Sequence, residues 1–158
     1  SALNGYEEGD WWVQDAAAAM PVRLFGNIKG KRVLDLCAAP GGKTMQLCAA
    51  GAKVTALDLS PERMHRVMEN TRRTSFRLHM EVADVMKWEP DGQFDAILLD
   101  APCSATGTIR RHPDLPYVRP SLDLKPLLRL QQAMQSVSFS CEALMRISYH
   151  CWSEAPCI

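Results

Sequence analysis

The 158 residues are enough for one domain, and a hydrophobic content of 47% allows a real core. Eighteen Lys and Arg balance eighteen Asp and Glu, so no whole-molecule field selects nucleic acid, and any such contact has to come from a local patch. Six scattered cysteines, no N-terminal signal segment and no apolar run of membrane length argue against a disulfide scaffold or a membrane span. They predict a cytoplasmic protein with reduced thiols, and the start at Ser1 suggests a piece of something longer.

In chain order, Gly5 to Val13 with Trp11 and Trp12 reads as a short extended lead-in whose tryptophans pack. Ala16 to Met20 is a strong helix former that Pro21 should interrupt. Val33 to Leu36 is an apolar run of strand length, followed by the small-residue bend Cys37 to Gly42 and a helix from about Gly42 to Ala50, with Gly51 as its cap. Lys53 to Leu57 is the next strand and ends at Asp58. Ser60-Pro61-Glu62 carries an N-cap, a first-turn proline and an early acid, opening a helix to about Arg72 with Met64, Val67, Met68 and Thr71 at core spacing. Arg63, Arg66, Arg72, Arg73 and Arg77 make this the most basic part of the chain, a solvated face in the plain reading and an RNA contact in the sharper one.

Leu78 to Val82 predicts a third strand leading to Asp84, and Phe94 to Leu99 a fourth, near-continuously apolar as in the middle of a covered parallel sheet, ending at Asp100. Asp100 to Tyr117, rich in Pro, Gly and Ser, holds Cys103 and the cluster Arg110-Arg111-His112 and reads as a long functional loop. Lys125 to Gln135 is a helix with Leu127, Leu130 and Met134 in register. From Ser136 the character changes. Residues 136–158 form an atypical tail after a domain of residues 1–135, and Cys141, Cys151, Cys157 and His150 match no usual metal spacing, so no metal is expected.

Alternating strands and helices give an α/β fold, a doubly wound and mostly parallel sheet. In such a sheet the strand ends at Asp35, Asp58, Asp84 and Asp100 converge on one crevice, where nucleotide-like ligands bind. The bend discriminates among them. Gly42-Lys43-Thr44 fits the end of a phosphate-cradling loop, but Cys37 stands where its first glycine belongs, and a dinucleotide loop would need two further glycines. S-adenosyl-L-methionine carries no phosphate and needs only a close backbone bend and acids for its adenosine, which this chain has.

The stretches LDLCAAPGGKT, ALDLSPER, VADV and LLDAPCSATGTIRRHPD, in this order, resemble the RNA cytosine-C5 methyltransferases of the Nop/Sun family, in particular the bacterial 16S ribosomal RNA enzymes of the Sun/Fmu type. The resemblance covers about Gly5 to Gln135. It implies an S-adenosylmethionine-dependent methyltransferase fold of Rossmann-like type in which Cys37, Ala38, Ala39, Pro40, Gly41, Gly42 and Lys43 wrap the cofactor. Asp58 would hold its ribose with Arg63 nearby, Asp84 would face the adenine, and Asp100 would sit by cofactor and reacting centre. It further implies methyl transfer to C5 of cytosine in ribosomal RNA, with a cysteine thiolate adding to C6 so that C5 becomes nucleophilic, Asp100 on the base's N3 edge, and Cys103 in the Pro-Cys dipeptide as a catalytic thiol. Family members carry their nucleophile in a Thr-Cys-Ser motif after the helix matched by Lys125 to Gln135, and no Thr-Cys-Ser occurs here. Loss of the last strands would expose a sheet edge and favour a homodimer through it.

Overall fold

The computed structural model describes residues 3–103, 113–114, 124–140 and 143–149. Among them, α1 (Ala16–Leu24), β1 (Arg32–Leu36), α2 (Gly42–Ala49), β2 (Lys53–Asp58), α3 (Pro61–Arg73), β3 (His79–Val82), β4 (Phe94–Asp100), α4 (Leu124–Ser140) and β5 (Ala143–Tyr149) follow in sequence. The strands form one sheet in the order β3-β2-β1-β4-β5 with every pairing parallel, so the predicted doubly wound α/β architecture is the observed one. The order reverses between β1 and β4. That switch point opens a crevice at the carboxyl ends of these two strands, with Leu36 in register with Leu57 on one side and Leu99 on the other.

Alternation along the strands divides the core. Leu34, Leu36, Leu57, Ile97 and Leu99 pack with Phe94 and, from α4, Met134. Val33, Val54, Ala96 and Leu98 face the other way, onto Val22, Phe25 and Ile28 of the lead-in and Leu47 of α2. Helix starts follow their caps: Asp15 accepts from the Ala17 N–H and Ser60 from the Arg63 N–H, each satisfying a first-turn donor.

Four local expectations change. Pro21 lies inside α1 and is buried, and packing there outweighs the one hydrogen bond it removes. On α3, Met64, Val67 and Thr71 are buried but Met68 is exposed, because the contact stripe is narrower than the apolar one. On α4 the inward residues are Gln131 and Met134, and Leu130 is exposed. That helix also runs past Gln135 to Ser140, and β5 follows it beside β4, with Asp100 paired to Tyr149, so the residues after Ser136 contribute regular structure. Arg110, Arg111, His112, Cys141, His150, Cys151 and Cys157 lie outside the described residues. No described helix is long and apolar enough to cross a membrane.

Candidate functional site

The bend from Cys37 to Gly41 is held by its own backbone. Ala38 donates its N–H to Leu57 O (3.1 Å), Gly41 donates to Ala38 O (2.9 Å), and Ala39 donates to Asp58 Oδ2 (3.1 Å). Pro40 has no N–H to offer. The amides of residues 38 to 41 are therefore spoken for, and the bend cannot cradle a phosphate as a P-loop does. Cys37 takes a left-handed backbone (φ 62°), and Gly41 does too (φ 102°), where a Cβ would stand 3.3 Å from Val67 Cγ1. Gly41 is the N-cap of α2 and makes no side-chain cap hydrogen bond.

From the α3 side, Arg63 donates to Ala39 O (3.0 Å) and lies 3.5 Å from Asp58, and Asn70 donates to Pro40 O (2.9 Å). Asp58 is 1% exposed, and its second oxygen accepts from the Ser60 N–H (3.1 Å). In this structure it anchors the bend as well as standing at the end of β2. Asp84 lies two residues beyond the end of β3, in a turn where its carboxylate accepts from the Met86 N–H (3.0 Å).

Across the switch point, Lys43 Nζ meets Asp100 Oδ2 at 2.8 Å, tying the start of α2 to the end of β4. Three residues on, Cys103 follows Pro102, whose carbonyl accepts from the Gln131 amide (2.7 Å). Sequence reasoning missed Gln131. A glutamine at the i, i+4 position after Leu127 and three before Met134 was the available signal.

Beneath the bend lies Asp35, fully buried. Thr44 Oγ1 donates to its Oδ2 at 2.6 Å, and Oδ1 has no hydrogen-bond partner among the described residues. Burial pushes its carboxyl up to about 7, with the Thr44 hydrogen bond opposing and the nearby Asp100 adding. Burial likewise pushes the Cys37 thiol up to about 12 and the Cys48 thiol up to about 11, so neither presents a thiolate at neutral pH. The structure thus ties Asp58 and Arg63 to the bend and Asp100 to Lys43, at the carboxyl ends of neighbouring strands, with Asp84 on the turn after β3.

Residues 24–141 match the model of the family described as 16S rRNA methyltransferase RsmB/F. The chain belongs to that family. Among RsmB/F relatives, the ribosomal RNA small subunit methyltransferase B of Cronobacter sakazakii is 47% identical over 136 residues, 83% of this chain and 32% of the relative. That of Erwinia tasmaniensis is 46% identical over 135 residues, 82% of this chain and 32% of the relative. This chain therefore spans about a third of the length of the curated relatives it matches. Among solved structures, NSun6 from Pyrococcus horikoshii with SFG superposes with a TM-score of 0.72 at 25% identity, over 88% of this chain and 36% of that one. A methyltransferase homolog protein from the same organism gives 0.70 at 27% identity, over 89% and 45%. The RsmB/F assignment and the parallel sheet agree with the fold read from the strand pattern.

Proposed function

We propose that this chain is the cofactor-binding part of a 16S ribosomal RNA cytosine-C5 methyltransferase that uses S-adenosyl-L-methionine and works in the cytoplasm. The observation that carries the reading is a bend with no phosphate-binding amides left, set at a switch point among carboxylates. Carboxylates at that point favour a close-fitting ligand rich in hydroxyl and amino donors over a polyphosphate. The likeness to NSun6, solved with the S-adenosylmethionine analogue SFG, supports the same cofactor.

The residues fit such a group. Its carboxylate suits the positive end of the α2 dipole, where the N-cap Gly41 brings no competing side-chain acceptor. Its methionine part lies along Cys37, Ala38, Ala39, Pro40, Gly41, Gly42 and Lys43. Asp58, steadied by Arg63, takes the ribose hydroxyls in exchange for one of its amide donors, and Asp84 takes the adenine amino group. When bound, the cofactor supplies an electrophilic methyl group.

Everything else falls to the chain. Cys103 is the described thiol nearest in sequence to Asp100 and serves as a catalytic residue toward the base, its backbone fixed by the Gln131 hydrogen bond. Asp100, ion-paired with Lys43, faces the N3 edge of cytosine and accepts from its 4-amino group as a thiolate adds at C6. The absence of Thr-Cys-Ser favours a second reading, a chain that binds the cofactor without turnover. Calorimetry with S-adenosylmethionine tests the shared half: a folded chain that binds none defeats both readings. Trapping on 5-fluorocytosine RNA separates them, since an adduct lost in Cys103→Ala supports the catalytic one, and no adduct with the parent chain supports the other.

A further inference from the structure

Charge is sorted along the strands. The acids of the candidate site lie at the carboxyl edge of the sheet, and the opposite edge, where β1, β2 and β3 begin, collects cations. Lys53 donates its backbone N–H to Lys31 O (2.8 Å) and Gly30 donates to Gly51 O (2.8 Å). These two bonds zip the turns before β1 and β2 together and bring Lys29, Lys31 and Lys53 side by side. Arg32 opens β1 in register with Lys53, and Arg77 stands just ahead of β3.

Between them runs a groove of about 460 Å³ lined by Arg32, Lys53, Arg77 and His79 over a floor that includes Val54 and Leu78, with no carboxylate in its walls. Among the described residues no hydrogen bond or ion pair reaches the side chain of Lys53 or Arg77, and both are exposed. The Arg32 guanidinium is fixed over the Phe94 ring (5.0 Å to its centroid) and by Asp91 O (2.9 Å), so this cation is preorganised. The adjoining hollow toward β4 carries Glu81, Glu89 and Asp91, which would repel an anion and so bound the groove on that side.

We propose that this rim is a second RNA-contact surface, in which Arg32, Lys53 and Arg77 take consecutive phosphates of an RNA strand whose target base lies in the crevice at the other edge. The proposal rests on the reading of the chain as an RNA methyltransferase. The strand β1 separates the two edges by only about 13 Å, four residue steps, so one folded RNA reaches both. With a net charge of zero over these 158 residues, their affinity for an RNA backbone draws on local patches of this kind. Phosphodiesters fit better than an acidic protein segment because three cations in a shallow groove without a carboxylate on its walls match evenly spaced point charges.

The test uses the full chain, fluorescence anisotropy of a fluorescein-labelled single-stranded RNA oligonucleotide at several salt concentrations, and the double variant Lys53→Gln/Arg77→Gln. Both side chains are exposed, so an unchanged thermal melt is expected to show that the variant folds. Binding should weaken about tenfold at low salt, and the slope of log affinity against log salt should flatten by about 1.4 for two lost contacts. The control Arg66→Gln/Arg72→Gln, on the exposed face of α3, should bind as the parent does. Equal loss in the control, an unchanged affinity and slope in the rim variant, or displacement by poly-L-glutamate as readily as by unlabelled RNA at equal charge would each overturn the proposal. Calorimetry with S-adenosylmethionine keeps the two readings apart. The rim variant should bind the cofactor as the parent does, whereas a parent that binds RNA through the rim but no cofactor would sink the proposed function and leave this surface standing.

Discussion

Replacing Asp35 by asparagine isolates the most unusual electrostatic feature of the site. The carboxyl is fully buried, one oxygen has no partner among the described residues, and burial raises its pKa from an ordinary 3.8 to about 7. Between those two values the folded chain holds a proton that the unfolded chain has already released. Stability therefore falls as pH rises through this window and levels off above about 7. Each pH unit well inside the window is worth about 1.4 kcal/mol and the slope halves at pH 7, so the parent loses about 2 kcal/mol from this group between pH 5 and pH 7. Asp35→Asn keeps an acceptor for Thr44 and carries no titrating proton. Urea unfolding of both chains at pH 5, 6, 7 and 8 reads the difference, in which the remaining ionisable groups largely cancel. The variant should gain on the parent by about 2 kcal/mol from pH 5 to 7 and by little more at pH 8. A difference that stays constant with pH would mean that Asp35 is ionised throughout, and the reasoning about its burial would be wrong.

Gly41→Ala forces a Cβ into a left-handed backbone and to within 3.3 Å of Val67; it should cost roughly 1 to 2 kcal/mol in denaturant melts and abolish measurable S-adenosylmethionine binding by calorimetry. Gln131→Leu removes the donor to Pro102 O and should cost about 1 kcal/mol in the same melts; cofactor affinity should hold while 5-fluorocytosine RNA trapping slows. Lys43→Met removes the ion pair that ties the start of α2 to the end of β4 and should weaken cofactor binding severalfold; calorimetry on parent and variant checks this, and an unchanged affinity would exclude a role for the pair. With β5 at one edge of the described sheet, light scattering should show dimers at high concentration; a monomer throughout would exclude pairing through that edge.

The strands β1, β2 and β4 were legible because each is a continuous apolar run closed by a turn signal, the pattern of a parallel sheet covered on both faces. Helix α3 announced itself through Ser60 and Pro61, whose cap geometry the structure repeats. What sequence could not show is what a polar side chain does once inside. Arg63 looked like part of a basic run and instead holds Ala39 O, and Arg73 turns inward to the carbonyls of Tyr6 and Trp11. Asp58 looked like a ligand's carboxylate and serves the bend first. Gln131 took the inward position that Leu130 was expected to fill, because a carbonyl at Pro102 needed a donor and a leucine has none. Strand β5 lacked alternation and a glycine turn, and its pairing with β4 is a long-range fact that no local window contains.

Amide chemical-shift mapping of the isotopically labelled chain on addition of S-adenosylmethionine tests the central claim most directly, because it reports where the ligand sits as well as whether it binds. The perturbed amides should cluster at Cys37 to Lys43, Asp58, Asp84 and Asp100, with those of Arg32, Lys53 and Arg77 unmoved. Shifts scattered over the sheet, or confined to the edge where the strands begin, would contradict a cofactor crevice between the carboxyl ends of β1 and β4.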